Sequence, residues 1–101
     1  MTFKDLRRDP ALIEPVCQAS IIRIGNKLLF SNPASTTRRE KMTVRQSSDD
    51  GATWPVSRLI YKGPSAYSCL VSLPDGSAGL LYECGEKSPY ERIDFARFSM
   101  P

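Results

Sequence analysis

The sequence predicts an all-β protein built from short antiparallel strands. Apolar and β-branched runs of about four to eight residues recur along the chain, a length typical of strands rather than helices. Gly, Pro, Asn and Asp residues separate these runs and supply turns. No segment carries the apolar period of a convincing helix. The 101 residues are enough for one small domain.

The strands follow one another with short connections. Residues 1–14 are charged and then weakly apolar, and Pro10 interrupts them, so we expect an N-terminal loop or connecting segment there. A polar loop is predicted over 32–41, a tight turn over 47–54 and a linker at Lys62-Gly63-Pro64. The predicted strands are 16–24, 27–31, 42–46, 56–61, 67–73, 78–84 and 92–99.

These strands divide into two units. The first four form a meander within residues 15–62, and the last three begin a second meander within residues 65–99. A four-stranded meander of about this length is the blade of a β-propeller. We therefore expect residues 15–101 to be the C-terminal part of a propeller domain, with one complete blade and one partial blade.

The second unit is organised by a hairpin. Pro74-Asp75-Gly76 supplies its turn, because Pro fixes φ, Asp bonds to its own backbone and Gly tolerates positive φ. A two-residue loop would place Tyr67 opposite Cys84, and a three-residue loop would place it opposite Glu83. With either loop, a phenol and a carboxylate lie at the same open end of the hairpin.

Composition excludes several classes of function. The chain has no histidine, which removes Ser-His-Asp and Cys-His catalysis and most zinc sites. The three cysteines contain no CxxC and are expected to be small buried hydrophobes, although Cys69 and Cys84 on adjacent strands leave one disulfide open. The 14 basic residues are dispersed and the net charge is +3, so no nucleic-acid partner is expected. No run approaches the ~20 apolar residues of a membrane span. No metal or cofactor is implied.

The predicted turn over 47–54 carries a specific motif, Ser-x-Asp-x-Gly-x-Thr-Trp. Asp49 can accept bonds from backbone N–H groups in the turn, Gly51 suits positive φ, and Thr53 adds a hydroxyl bond. Trp54 can pack over the turn as an apolar lid. Together with Ser47, these residues resemble the Asp-box, or BNR repeat, between the third and fourth strands of sialidase-type propeller blades. This motif indicates a fold rather than an activity, and Asp49 is interpreted as a turn former.

Strand direction predicts where a site would lie. Chain direction alternates between neighbouring strands, so the loop over 32–41 and the open end of the hairpin fall on one face. Tyr67, Glu83 and the Arg38-Arg39 pair therefore share that face, and the Asp-box turn lies on the opposite one. Tyr61, Tyr82 and Tyr90 are interpreted as packing or rim residues.

Several motifs in order resemble the C-terminal third of an exo-α-sialidase (neuraminidase) of the bacterial and animal type. They are Phe-Ser-Asn-Pro-Ala-Ser at 30–35, Arg-Glu-x-Met-Thr-Val-Arg at 39–45, the Asp-box, Ala-Tyr-Ser at 66–68, Leu-Pro-Asp-Gly at 73–76, Leu-Leu-Tyr-Glu at 80–83 and Ile-Asp-Phe-Ala-Arg-Phe at 93–98. The resemblance covers residues 14–99.

The resemblance implies three roles. Tyr67 matches the tyrosine nucleophile, and Glu83 matches the glutamate that orients the first arginine of a carboxylate-binding triad. Arg39 matches the third arginine of that triad. Arg38 competes with it, and spacing to the following strand favours Arg39. A phenol suits the reaction because the substrate carboxylate would repel an anionic nucleophile.

The implied activity is that of a retaining glycosidase that hydrolyses terminal α-linked sialic acids from glycans, glycoproteins or gangliosides. The family also needs two more arginines, a base Glu and an acid/base Asp, all of which it places upstream. We therefore expect this chain alone to be inactive and to need the upstream remainder of the propeller. One alternative is a non-catalytic Asp-box propeller module that binds carbohydrate or protein, and another is a trans-sialidase relative. Members of the family are secreted, periplasmic, cell-surface or intracellular, so the resemblance assigns no compartment.

Overall fold

The computed structural model describes residues 9–15 and 17–101. They form six antiparallel strands that neighbour one another in chain order. The strands are β1 (Ser20–Ile24), β2 (Lys27–Pro33), β3 (Glu40–Ser47), β4 (Val56–Ser72), β5 (Ala78–Cys84) and β6 (Arg92–Phe98). The all-β prediction is therefore confirmed.

The long strand β4 belongs to two meanders. Its first part, up to Pro64, pairs with β3, and its second part, from Ser65, pairs with β5. The four-strand and three-strand units of the sequence prediction are both present, but their fourth and fifth strands are continuous. The predicted break at Lys62-Gly63-Pro64 is wrong because pairing continues through it. Pro64 lies opposite Glu40, and its carbonyl accepts the Gly85 N–H at 3.1 Å.

The N-terminal part of the chain differs from the prediction at one point. The predicted strand over 16–24 begins only at Ser20, and residues 1–8 and 16 lie outside the described residues. Side chains replace the backbone ladder here, since Gln18 Oε1 accepts the Ser68 N–H at 3.3 Å. Ser20 Oγ accepts the Leu70 N–H at 3.0 Å. The chain therefore contacts the second part of β4 just before β1 and at the first residue of β1.

The core lies where the sheet curls over itself. One face of the first meander contributes Leu29, Met42 and Val44, and the facing side of the second contributes Leu70 and Leu80. Alternate residues of these strands point to the opposite side, as strand geometry requires. The outward side of the second meander is apolar and exposed. Its large exposed apolar side chains are Val71, Leu81, Ile93 and Phe95, which we call the outer face.

The turn between β3 and β4 has the bonding that its motif predicts. Asp49 accepts the Thr53 N–H at 2.8 Å and the Thr53 hydroxyl at 2.6 Å. Ser47 Oγ donates to Asp49 at 2.7 Å and accepts the Gly51 N–H at 2.8 Å. Gly51 has φ +91°, and the Trp54 ring packs beside it and 6.0 Å from the Phe30 ring. These bonds hold the pKa of Asp49 at about 2, with the Thr53 hydroxyl as the largest cause.

Candidate active site

The hairpin register decides which side chain faces Tyr67. Leu73 N donates to the Ser77 carbonyl at 2.9 Å, which closes a three-residue loop at Pro74-Asp75-Gly76. Gly76 has φ +86°, and Asp75 Oδ1 accepts the Ser77 N–H at 3.0 Å. The three-residue alternative is thus the correct one, and it brings Tyr67 to Glu83.

The same register decides whether Cys69 and Cys84 can form a disulfide. Cys69 lies opposite Leu81, and Cys84 lies opposite Ser65. Cys17, Cys69 and Cys84 are all free thiols. The disulfide that the sequence left open between Cys69 and Cys84 is therefore wrong, because the two residues are not cross-strand partners.

Tyr67 is presented by an irregularity in β4. The register shifts between Ser65 and Ser68, so the Tyr67 backbone leaves the ladder. The Tyr67 N–H bonds to a side chain instead of a strand carbonyl, since Glu83 Oε1 accepts it at 3.1 Å. The Tyr67 side chain is 50% exposed. The bulge therefore turns a strand tyrosine into an accessible phenol with a fixed backbone.

Arg39 reaches this phenol from the first meander. It lies in the loop between β2 and β3, and its carbonyl accepts the Ser65 N–H at 2.9 Å. Its guanidinium carbon lies 5.8 Å from the centre of the Tyr67 ring, within cation–π distance. Arg38, in contrast, is exposed. Of the two arginines that the sequence left in competition, Arg39 is the one that meets Tyr67.

A third side chain completes the arrangement, and the sequence did not indicate its contact. Arg39 Nη1 donates to the Tyr90 hydroxyl oxygen at 2.7 Å. This bond is the largest cause that raises the pKa of Arg39. The available signal was topological, because the loop after β5 must start at the same end of the sheet as Tyr67.

Two further neighbours carried no sequence signal. Cys17 is partly buried, which raises the pKa of its thiol, while the charge of Arg39 lowers it and that of Glu83 raises it. Gln18 lines a shallow, mainly apolar groove of about 380 Å³ together with Tyr67 and Glu83. The segment before β1 therefore forms one wall beside the tyrosine.

The turn between β3 and β4 takes no part in this cluster. It follows Ser47 at the end of β3, whereas Arg39 precedes Glu40 at the start of the same strand. Ser47, Asp49, Gly51, Thr53 and Trp54 thus lie at the opposite end of the first meander. Among the described residues, no group of three or more His, Cys, Asp and Glu side chains could hold a metal ion. No helix in the described part of the chain is long and apolar enough to cross a membrane.

The fold is all-β and of propeller type, and a tyrosine, an arginine and a glutamate meet at one end of its strands. These two features define the class of protein with which the chain is compared. A sialidase of Micromonospora viridifaciens is 45% identical over 98 residues, which cover 87% of this chain and 15% of that protein. Human sialidase-4 is 40% identical over 80 residues, covering 72% of this chain and 16% of that protein. The solved structure of the Hadza microbial sialidase Hz136 matches with a TM-score of 0.76 and 39% identity, over 88% of this chain and 18% of that one. No family model matches the chain.

The chain therefore belongs to the sialidase family by sequence and by fold. It spans about a sixth of the length of the two curated relatives described above, at 15% and 16%.

Proposed function

We propose that this chain is the C-terminal portion of an exo-α-sialidase and supplies the nucleophile side of its active site. The observation that carries the proposal is the Arg39 guanidinium placed over the Tyr67 ring, 5.8 Å from its centre, with Glu83 on the neighbouring strand. A tyrosine packed only for stability has no need of an arginine and a carboxylate around an exposed ring.

Tyr67 acts as the nucleophile in this proposal. Its phenol oxygen bonds to the anomeric carbon as the bond to the departing sugar oxygen breaks, and the phenol proton passes to a base. Water then displaces the tyrosine. Because both displacements occur at the anomeric carbon, its configuration is retained. Because sialic acid carries a carboxylate on the anomeric carbon, a neutral phenol approaches it without the repulsion that a carboxylate nucleophile would meet.

Arg39 binds the substrate carboxylate in this scheme. A guanidinium is always charged and offers a planar fork that matches a carboxylate. The Tyr67 ring fixes one side of that fork, so the carboxylate it binds lies beside the phenol. Substrates of this kind are the terminal sialic acids of glycans, glycoproteins or gangliosides.

Glu83 is a positioning residue in the proposal. Its carboxylate accepts the Tyr67 backbone N–H, so it fixes the position of the nucleophile. Its remaining acceptor capacity would orient a first arginine supplied by the upstream chain.

The upstream propeller is the partner that the proposal requires. The phenol needs a base, and the departing oxygen needs an acid, because an ordinary phenol with a pKa of about 10 is a poor nucleophile at neutral pH. The exposed outer face, Val71, Leu81, Ile93 and Phe95, offers an apolar surface for a neighbouring blade.

The proposal is tested by grafting this chain into a complete sialidase. We expect the 101-residue chain alone to release nothing from a fluorogenic sialoside. We expect the same chain to restore hydrolysis when it replaces the matching segment of the Micromonospora enzyme. Tyr67→Phe in the graft should lower kcat by at least about a thousandfold. Arg39→Lys should raise KM, and Arg38→Lys is its matched control.

Two results would overturn the proposal. One is turnover by the isolated chain that depends on Tyr67. The other is a folded graft that binds a sialoside without hydrolysing it, which would favour the binding-module alternative.

A further inference from the structure

The loop between β5 and β6 reaches across the molecule to the arginine of the site. This loop, residues 85–91, carries Tyr90, and we call it the Tyr90 loop. The Tyr90 hydroxyl accepts the Arg39 Nη1 hydrogen at 2.7 Å, between residues 51 positions apart in the chain. Tyr90 is 59% exposed, so burial of its ring does not account for its position.

The Tyr90 loop is ordered from within by one carboxylate. Glu91 Oε2 accepts the Lys87 N–H and the Ser88 N–H, each at 2.7 Å. These bonds lower the pKa of Glu91, with the Ser88 N–H as the largest cause. Ser88 Oγ in turn accepts the Tyr90 N–H at 3.2 Å. The backbone that presents Tyr90 is therefore fixed by bonds at Lys87, Ser88 and Tyr90.

The loop is also anchored to β4 at its first residue. The Gly85 carbonyl accepts the Tyr61 hydroxyl at 2.7 Å. A side chain at Gly85 would overlap the Ser88 carbonyl oxygen and come within 2.5 Å of the Glu91 carboxylate. Glycine therefore fits at position 85 where any side chain would collide with the loop's own atoms.

Two of the contacts of Arg39 involve different parts of its guanidinium. The centre of the Tyr67 ring lies 5.8 Å from the guanidinium carbon, and the Tyr90 hydroxyl accepts the Nη1 hydrogen. An arginine recognises a carboxylate bidentately only when the plane of its fork is correctly oriented. A ring contact alone leaves rotation within that plane open, and a hydrogen bond to one nitrogen removes it.

We propose that the Tyr90 loop is a clamp that orients Arg39, and that Tyr90 is a positioning residue for binding of the substrate carboxylate. The part concerning substrate rests on the function proposed above, whereas the part concerning Arg39 does not. Carboxylate binding contributes to the ground state and the transition state alike, so loss of the clamp raises KM more than it lowers kcat.

The first measurement uses the 101-residue chain and needs no activity. The Nε–Hε NMR signal of Arg39, assigned through Arg39→Lys, reports the order of the guanidinium. We expect it to be sharp and dispersed in the native chain and to broaden or shift in Tyr90→Phe. Glu91→Ala, which removes the acceptor of the Lys87 and Ser88 N–H groups, should shift it in the same direction, and Lys87→Ala, which leaves the backbone bonds of the loop in place, should not. An unchanged signal in Tyr90→Phe overturns the clamp.

The second measurement uses the graft into the Micromonospora enzyme. A hydrogen bond to a charged group is strong enough for Tyr90→Phe to raise KM by about tenfold, with kcat changed by less than about threefold. An unchanged KM, whether or not kcat falls by about tenfold, overturns the claim that Tyr90 positions Arg39 for the substrate carboxylate. If the unsubstituted graft is inactive, the proposed function fails, and the NMR signal still decides whether the clamp exists.

Discussion

The carboxylate of Asp49 alone accepts several of the hydrogen bonds in the turn between β3 and β4. It accepts bonds from the backbone and hydroxyl of Thr53 and from the hydroxyl of Ser47. All of these donors favour the ionised form, which explains why its pKa falls to about 2. In the unfolded chain those donors are lost, and the carboxyl returns to the ordinary value for Asp.

Because the pKa of Asp49 is lower in the folded chain than in the unfolded chain, the stability of the fold depends on pH in the acid range. A group with a lowered folded pKa contributes stability that is present above its unfolded pKa of 3.8 and is lost as pH falls toward about 2. We expect the urea midpoint, followed by fluorescence of Trp54, to drop across that window. Asp49→Asn should lower the midpoint at neutral pH and flatten the acid slope. Ser48→Ala in the same turn should leave the slope as it is, and an identical slope in Asp49→Asn would contradict this explanation.

Residue contacts were predictable where they depend on local geometry. Tyr67 and Glu83 meet across one hairpin, so the turn residues and strand period were enough to narrow the register to two choices. The Arg39–Tyr90 bond joins two loops, and neither loop has a period that fixes its side chains. Its geometry depends on the Glu91 carboxylate and on the lack of space at Gly85, which no sequence pattern encodes.

At the scale of the element, β5 separates a buried side from an exposed one. Leu80 is fully buried in the core, whereas its neighbour Leu81 is 47% exposed on the outer face. We expect Leu80→Ala to lower the free energy of unfolding by about 2–5 kcal/mol, through lost burial and a residual cavity. Leu81→Ala should cost less than about 1 kcal/mol in the same chain. Equal losses in denaturant titration would show that the inward and outward sides are assigned wrongly.

The prediction of elements failed where pairing outweighed local signals. Gly63-Pro64 is typical of a break, and the missing proline N–H supports that interpretation. In the structure, strand partners on both sides satisfy the neighbouring backbone groups, since Ser65 N donates to Arg39 and Gly85 N donates to Pro64. The same continuity joins the two meanders and carries Tyr67 to Arg39.

At the scale of the whole molecule, the outer face is exposed, and in the described part of the chain two strands have a strand neighbour on one side only. β1 and β6 end the strand order, and edges of this kind pair with other chains. We expect the isolated chain to self-associate as its concentration rises, as seen by light scattering after size exclusion. Leu81→Lys and Phe95→Lys should weaken this association, whereas Ser48→Lys in the turn between β3 and β4 should not. A monomer at all concentrations would show that this face needs no cover.

The most direct test of the central claim, that Tyr67 is the nucleophile, is to trap the covalent intermediate. A fluorinated sialosyl donor that forms the intermediate but releases it slowly would be mixed with the active graft, and the digested protein would be examined by mass spectrometry. We predict one sialosyl adduct on the peptide that contains Tyr67, and its absence in Tyr67→Phe. An adduct on another residue, or turnover of the donor with unmodified Tyr67, would contradict the proposed function.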